Sequence, residues 1–345
     1  MIEALKRLCQ AIGVSGNEGQ VREIIKKEIE GNMPKGSELF LDGLGGIYLH
    51  IKNEGKKRLM LCAHMDEVGF MVTEITENGT LKFGTVGGIN PLVLPSKRVI
   101  FGNGTKGVIT SKPIHLQGKE ERNRRSEISD MRVSIGATTK TEAQKYVSVG
   151  DIFTFDDCEF RVCEDTVVSK ALDDRHGCTA LLYAIRELAK SGKTSDYDLY
   201  FAFTTREEIG VSGAWCGSEI IKPDYAIVIE SKAVLDLPDV GEDKMVGKLG
   251  EGALISYADL GAIMDRQLTD KLIRTCEKND IKYQINKAIA GGNDSSNIQK
   301  GAYGARVALI SAPSRYIHSG ASVINLNDFD AICKAIYAFI TEKED

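Results

Sequence analysis

Hydrophobic and polar positions change rhythm twice along the chain. The opening segment, MIEALKRLCQAIGVSG, places Ile2, Leu5, Leu8 and Ile12 at helical spacing between charged residues, and VREIIKKEIE repeats that period. KKRLMLCAHMDEVGF follows as a continuous apolar run that ends in polar groups, the pattern of a buried strand. From about Gly69 to Glu164 helical periodicity gives way to short runs broken by turn formers: GFMVTEI, TLKFGTV, RVIFGNG, KGVIT, DIFTF and EFRVC. From Ser169 helices (CTALLYAIRELAK, RQLTDKLIRTCEKN, FDAICKAIYAFI) alternate with strands (DLYFAFTT, DYAIVIE, ALISYADL, ARVALIS). This pattern predicts an α/β fold, a mixed and largely parallel sheet with helices on both faces, built from residues 1–68 and 165–345. A small β-rich domain over residues 69–164 interrupts it. Ligands of such sheets sit beyond the carboxyl ends of the strands.

Composition narrows the function classes. A chain of 345 residues with 42% hydrophobic and 27% charged residues can bury a site well. The net charge of -5 gives no basic field for nucleic acid, and the clusters Lys26-Lys27 and Arg122 to Arg125 read as solvated faces. No run approaches a membrane span, and the amino-terminal helix lacks the uninterrupted apolar core of a signal peptide. The eight cysteines contain no C-x-x-C pair and read as reduced core thiols of a cytoplasmic protein. Two motifs are set aside. GNGTKG (102–107) matches G-x-G-x-x-G but runs into VIT and not a helix, so it reads as a β-turn, and Ser212 sits in a glycine-flanked turn with no obvious histidine partner.

The chemistry lies where strands end. His64 and Asp66 follow RLMLCA, Asp173 and Asp174 precede an apolar helix, Glu207 and Glu208 close LYFAFTTREEIG, Glu230 ends AIVIE, and His318 follows APSRYI. Converging carboxylates would repel one another unless a cation lay between them. Mixed imidazole and carboxylate donors suit zinc, cobalt or manganese better than magnesium or calcium. Neighbouring side chains on a strand point opposite ways, so Glu207 and Glu208 need a kink at the strand end to serve one site, and they serve it differently.

The ordered set AHMDEVGF, KALDDRHGC, EEIGVSGA, GGNDSS and RYIHS resembles the glutamyl aminopeptidase family of dinuclear metallo-aminopeptidases, which includes the tetrahedral (TET) particles and proteins once labelled endoglucanases. The resemblance spans nearly the whole chain. It implies two divalent cations per subunit: Asp173 bridging them, His64 and Glu230 on one, Glu208 and His318 on the other. It also implies that Glu207 shuttles a proton and that Asp66 orients the imidazole of His64. Asp174 is either a helix cap or a further support. The inserted domain would be a PDZ-like or barrel dimerisation unit. Peptides would be the substrates, and the protein a homo-oligomer, from dimer to dodecamer.

Some positions depart from the family pattern. Glu230 stands where aspartate is commoner, Arg206 where glutamine is, Asn293 where threonine is, and Ser134 where aspartate is frequent; His115 reads as a surface imidazole. The first reading is an exopeptidase acting on free amino termini. A dinuclear deacylase or carboxypeptidase, or a non-catalytic assembly protein, are the alternatives. Glycan hydrolysis is disfavoured because the acids are better accounted for by cations than by a sugar-flanking pair.

Overall fold

A computed structural model of the chain describes residues 1–119, 127–156, 159–241, 245–301 and 303–343. Arg122 to Arg125 and Cys158 lie outside the described residues. In chain order the strands are β1 (Ser37–Leu41), β2 (Ile47–Ile51), β3 (Arg58–His64), β4 (Gly69–Ile75), β5 (Leu81–Val86), β6 (Arg98–Phe101), β7 (Lys106–Thr110), β8 (Arg132–Ser134), β9 (Ile152–Phe155), β10 (Arg161–Cys163), β11 (Thr166–Ser169), β12 (Asp198–Thr204), β13 (Tyr225–Ala233), β14 (Ala253–Ser256), β15 (Tyr283–Ile285), β16 (Arg306–Arg315) and β17 (Ser322–Asn325). The helices are α1 (Ile2–Gln10), α2 (Gly19–Glu30), α3 (Lys140–Ala143), α4 (Leu172–Ser191), α5 (Ser212–Ile221), α6 (Arg266–Lys278), α7 (Ser295–Ile298) and α8 (Leu326–Thr341).

The large sheet runs β1-β2-β12-β3-β13-β16-β17-β11-β10, with β14 and β15 branching from β16. Its centre, β12-β3-β13-β16, is parallel, while the strands on either flank pair antiparallel. The continuous apolar runs of the sequence are these central strands, because a strand covered on both faces has no polar side to show. Leu59, Leu61 and Ala63 of β3 join the core beneath α1, α2, α4, α6 and α8, whereas Met60 and Cys62 join a second core beneath α5 and α7. The sheet is therefore mixed, with helices on both faces.

Strands β4 to β9 close into a small barrel, β4-β5-β8-β7-β6-β9, around its own aromatic core of Phe70, Phe83, Phe101, Phe153 and Phe155. GNGTKG forms the turn between β6 and β7, where Phe101 and Thr105 close the loop. One strand departs from the expected grouping. EFRVC, counted with the short strands of the insertion, forms β10 and pairs with β11 at the edge of the large sheet. Its residues are exposed on both faces, so no alternation marked its partner. Ser212, read as part of a turn, is the first residue of α5. Gly213 permits that helix to start, since a Cβ there would meet the Thr205 carbonyl oxygen at 2.2 Å.

A buried charge cluster ties barrel to sheet. The Glu67 carboxylate, 3% exposed, takes Lys170 Nζ at 2.8 and 3.0 Å, the Gly13 amide at 3.1 Å and the hydroxyl of Thr154 on β9 at 3.0 Å, with Arg175 Nη2 at 3.7 Å. Removing one partner from such a set strands the others without compensation. Glu67→Ala is expected to destabilise the fold by about 3–5 kcal/mol, read as a lowered urea midpoint. A change within experimental error would show that Lys170 and Arg175 find other acceptors.

Candidate metal centre

The predicted site residues converge at the carboxyl edge of the parallel strands. His64 ends β3, Glu230 lies on β13, Glu207 and Glu208 occupy the turn after β12, His318 follows β16, and Asp173 and Asp174 begin α4. Arg206, with φ of 57°, supplies the kink that turns Glu207 and Glu208 out of the strand direction. Asp173 and Asp174 have non-helical backbone angles inside the first turn of α4 and are joined by a cis peptide bond.

Asp173 stands at the centre. Its Oδ1 is 3.4 Å from His64 Nε2 and its Oδ2 is 3.4 Å from His318 Nε2. Around the first imidazole, Glu230 Oε1 also lies 3.4 Å from His64 Nε2; around the second, Glu208 Oε2 lies 3.2 Å from His318 Nε2. The far nitrogens are fixed as well. His64 Nδ1 is 3.3 Å from Asp66 Oδ1, and His318 Nδ1 meets the Gly88 carbonyl at 2.8 Å. Gly88 belongs to the loop after β5, so the barrel holds one imidazole in place.

Asp66, fully buried, does more than face His64. Its oxygens accept the backbone amides of Glu207 and Glu208 at 3.0 and 3.2 Å and the Ser15 hydroxyl at 2.5 Å, pinning the turn that carries both glutamates. Asp174 accepts the Gly177 amide at 3.1 Å, as a helix cap does, and its other oxygen has no hydrogen-bond partner. A Cβ on Gly177 would lie 2.3 Å from that carboxylate, so only glycine fits. Asp294, in the GGNDSS segment, was not assigned a role from sequence. It is buried behind the site, accepting Thr204 Oγ1 at 2.5 Å and Cys62 Sγ at 3.3 Å. His115 is exposed in a short helical turn.

The electrostatics are those of a crowded acid cluster. Burial works against the charge on Asp173, but the His318 and His64 imidazoles outweigh it and hold the carboxyl well below the usual range. Burial likewise opposes the charge on His318, yet Asp173 and Glu208 push its imidazole up to about 11. Glu207 and Glu230 go the other way, burial raising them to about 10 and about 8. Asp173 Oδ1, Glu230 Oε2 and Asp174 Oδ2 are buried oxygens without a hydrogen-bond partner. Three groups of donor atoms draw within 4.8 Å of one another: His64, Asp174 and Glu230; His64, Glu207 and Glu208; Asp173, Glu208 and His318. Orphaned acceptors, two imidazoles and several carboxylates fit a divalent cation of the zinc type.

A cavity of about 230 Å³ opens above the cluster, with Glu207, Glu230 and His318 on its floor and Lys232, Val246 and Ile317 along its walls. Fold and cluster together define a class of α/β protein whose acids and imidazoles, gathered at the carboxyl edge of a parallel sheet, fit a divalent cation. Residues 45–334 match the M42 glutamyl aminopeptidase family, and the chain belongs to this family of peptide-bond hydrolases. The glutamyl aminopeptidase of Lactococcus lactis is 30% identical over 350 residues, covering 99% of this chain and 96% of that protein. A solved TET aminopeptidase from a marine-sediment Thaumarchaeota archaeon superposes with a TM-score of 0.94 at 31% identity, covering 99% of this chain and 95% of its own. The TET1 peptidase of Pyrococcus horikoshii, described as able to assemble into a tetrahedron or a large octahedral shell, gives a TM-score of 0.87 at 34% identity, covering 99% of both chains. No helix among the described residues is long and apolar enough to cross a membrane.

Proposed function

We propose that the chain removes amino-terminal residues from short peptides with the help of two divalent cations, zinc or cobalt or else manganese. His64 and Glu230 would hold one, Glu208 and His318 the other, and Asp173 both. The observation that carries this reading is the position of Asp173, whose two oxygens face different imidazoles, each at 3.4 Å. When bound, such a pair polarises the scissile carbonyl and lowers the pKa of a water.

The chain's own residues supply the rest. Glu207 is the general base: its carboxylate accepts a proton from the attacking water and returns it to the leaving amine. Asp66 orients His64 by facing its Nδ1 and leaves Nε2 toward Asp173 and Glu230; the Gly88 carbonyl does the same for His318. Asp66 also fixes the amides of Glu207 and Glu208, so one carboxylate sets the spacing between base and ligand. Assembly into dimers or a larger closed particle is part of the proposal, on the likeness to proteins that form such shells.

The test pairs substrate with metal. Aminoacyl-chromophore substrates should be cleaved in the presence of zinc, cobalt or manganese and spared when N-acetylated. Chelation by EDTA should abolish turnover and lower the thermal midpoint, because a ligand bound only by the folded state, at a hundredfold excess over its Kd, stabilises it by about 2.7 kcal/mol. A melting temperature indifferent to EDTA, or equal turnover of acetylated substrates, would count against the proposal.

A further inference from the structure

Asp294 is a buried carboxylate that the proposed chemistry leaves without a role. It follows directly on Ala290 to Asn293, the loop that walls the cavity above the cluster, and does not itself line that cavity. It stands just before α7, at the position of a helix cap, yet its side chain makes no cap hydrogen bond. Instead the carboxylate turns toward the sheet, where it is 1% exposed and takes the Thr204 hydroxyl at 2.5 Å and the Cys62 thiol at 3.3 Å, both on Oδ2. The loop is anchored apart from this contact, with Asn293 Nδ2 donating to Asp259 at 2.7 Å.

Its two partners stand on the strands that lead to the reacting groups. Cys62 precedes His64 by two residues on β3, and Thr204 ends β12, three residues before Glu207. The strands are parallel neighbours with Thr204 opposite His64, and the Thr204 carbonyl accepts the Met65 amide at 2.8 Å. One carboxylate thus joins the cavity loop to both strand ends, close enough to Glu207 for its charge to help raise that carboxyl. A buried carboxylate whose contacts are a hydroxyl and a thiol, with Oδ1 left unpartnered, is costly to keep. Joining the two strands does not require it, because they already pair from Asp198 and Arg58 to Thr204 and His64. What it adds is a fixed distance between that pair of strand ends and the loop.

Resting on the aminopeptidase reading, we propose that Asp294 is a positioning residue for proton transfer: through Thr204 it fixes the end of β12, and so the Glu207 carboxylate, against the loop that walls the substrate cavity. Cys62 gives it the same hold on the end of β3. The effect passes through the strand ends and not through contact with substrate or cation. Displacing a reacting group by about 1 Å costs on the order of 10²-fold in rate, so loss of the Thr204 bond should appear in kcat and leave metal uptake intact.

The full chain, loaded with cobalt or zinc, is assayed on the aminoacyl-p-nitroanilide it cleaves fastest, with rates expressed per metal-loaded molecule so that unfolded protein does not count. Asp294→Ala and Thr204→Val should each lower kcat by about 10²-fold and leave KM and the metal content, measured by mass spectrometry, as in the parent. Asp294→Asn keeps the shape and one acceptor oxygen for Thr204, and should recover most of that loss. Combining Asp294→Ala with Thr204→Val should cost no more than either alone, because both remove the same bond. Adding Asp294→Ala to Glu207→Gln should likewise cost little more, since the group being positioned is already inert. Should Asp294→Ala fail to fold, Thr204→Val and Asp294→Asn carry the comparison. Parental kcat in the variants, a loss confined to KM, a missing metal ion, or additive losses in the double variants would each overturn the proposal. Failure of the parent to cleave any free-amine substrate would instead fault the aminopeptidase reading beneath it.

Discussion

Glu207→Gln is expected to lower kcat by about 10³-fold with KM and bound metal nearly unchanged. Glutamine keeps the shape of the side chain and the amide that Asp66 accepts, so the turn stays in place. What it loses is an oxygen able to take a proton. In the proposed centre this residue depends on nearby positive charge: burial, reinforced by the charges of Glu230, Asp294 and Glu208 and only partly offset by His64, drives the Glu207 carboxyl up to about 10. Such a group holds its proton at neutral pH. Positive charge brought among those acids restores the ionised form, which is the form a general base requires. Metal content measured by mass spectrometry decides between roles, since Glu207 also lies within reach of His64 and Glu208. If the variant loses a metal ion, Glu207 is a ligand and the base must be sought elsewhere.

Asp173→Ala should have the second large effect, through binding and not proton transfer. Both imidazoles lose the one carboxylate they share, so activity should fall below detection and the rise in thermal midpoint on adding zinc or cobalt should vanish. Isothermal titration calorimetry gives the direct measure. Two cations per chain in the parent and none at comparable affinity in the variant is the expected result. One cation still bound at parental affinity would show that Asp173 serves a single position. The contrast with Glu207→Gln is the diagnostic feature, because one variant should keep its metals and the other lose them.

Much of the fold was legible from periodicity. Unbroken apolar runs such as RLMLCA and AIVIE predicted central strands, and these are the strands flanked on both sides in the parallel core. The helix CTALLYAIRELAK lies within α4, and the short alternating runs from GFMVTEI to DIFTF form the barrel. EFRVC misled because an exposed edge strand carries no burial pattern, and α5 was missed because its start depends on Gly213 fitting against Thr205, a contact local pattern does not encode.

The candidate site divides in the same way. His64, Asp173, Glu207, Glu208, Glu230 and His318 were visible as acids and imidazoles at the ends of apolar runs, because a polar group that closes a buried strand must face either solvent or a site. The supports were not visible. Ser15 on Asp66 and Gly88 on His318 come from segments with no catalytic signature, and each contact joins residues distant in the chain.

The sequence by itself determined which residue types stand at which strand ends and how the chain alternates between helix and strand, since burial imposes a period that composition can carry. Only the tertiary structure decided which oxygen of Asp173 meets which imidazole and that the barrel loop steadies His318. Those outcomes depend on packing between segments far apart in the chain, and packing is a property of the assembled core and not of any stretch within it.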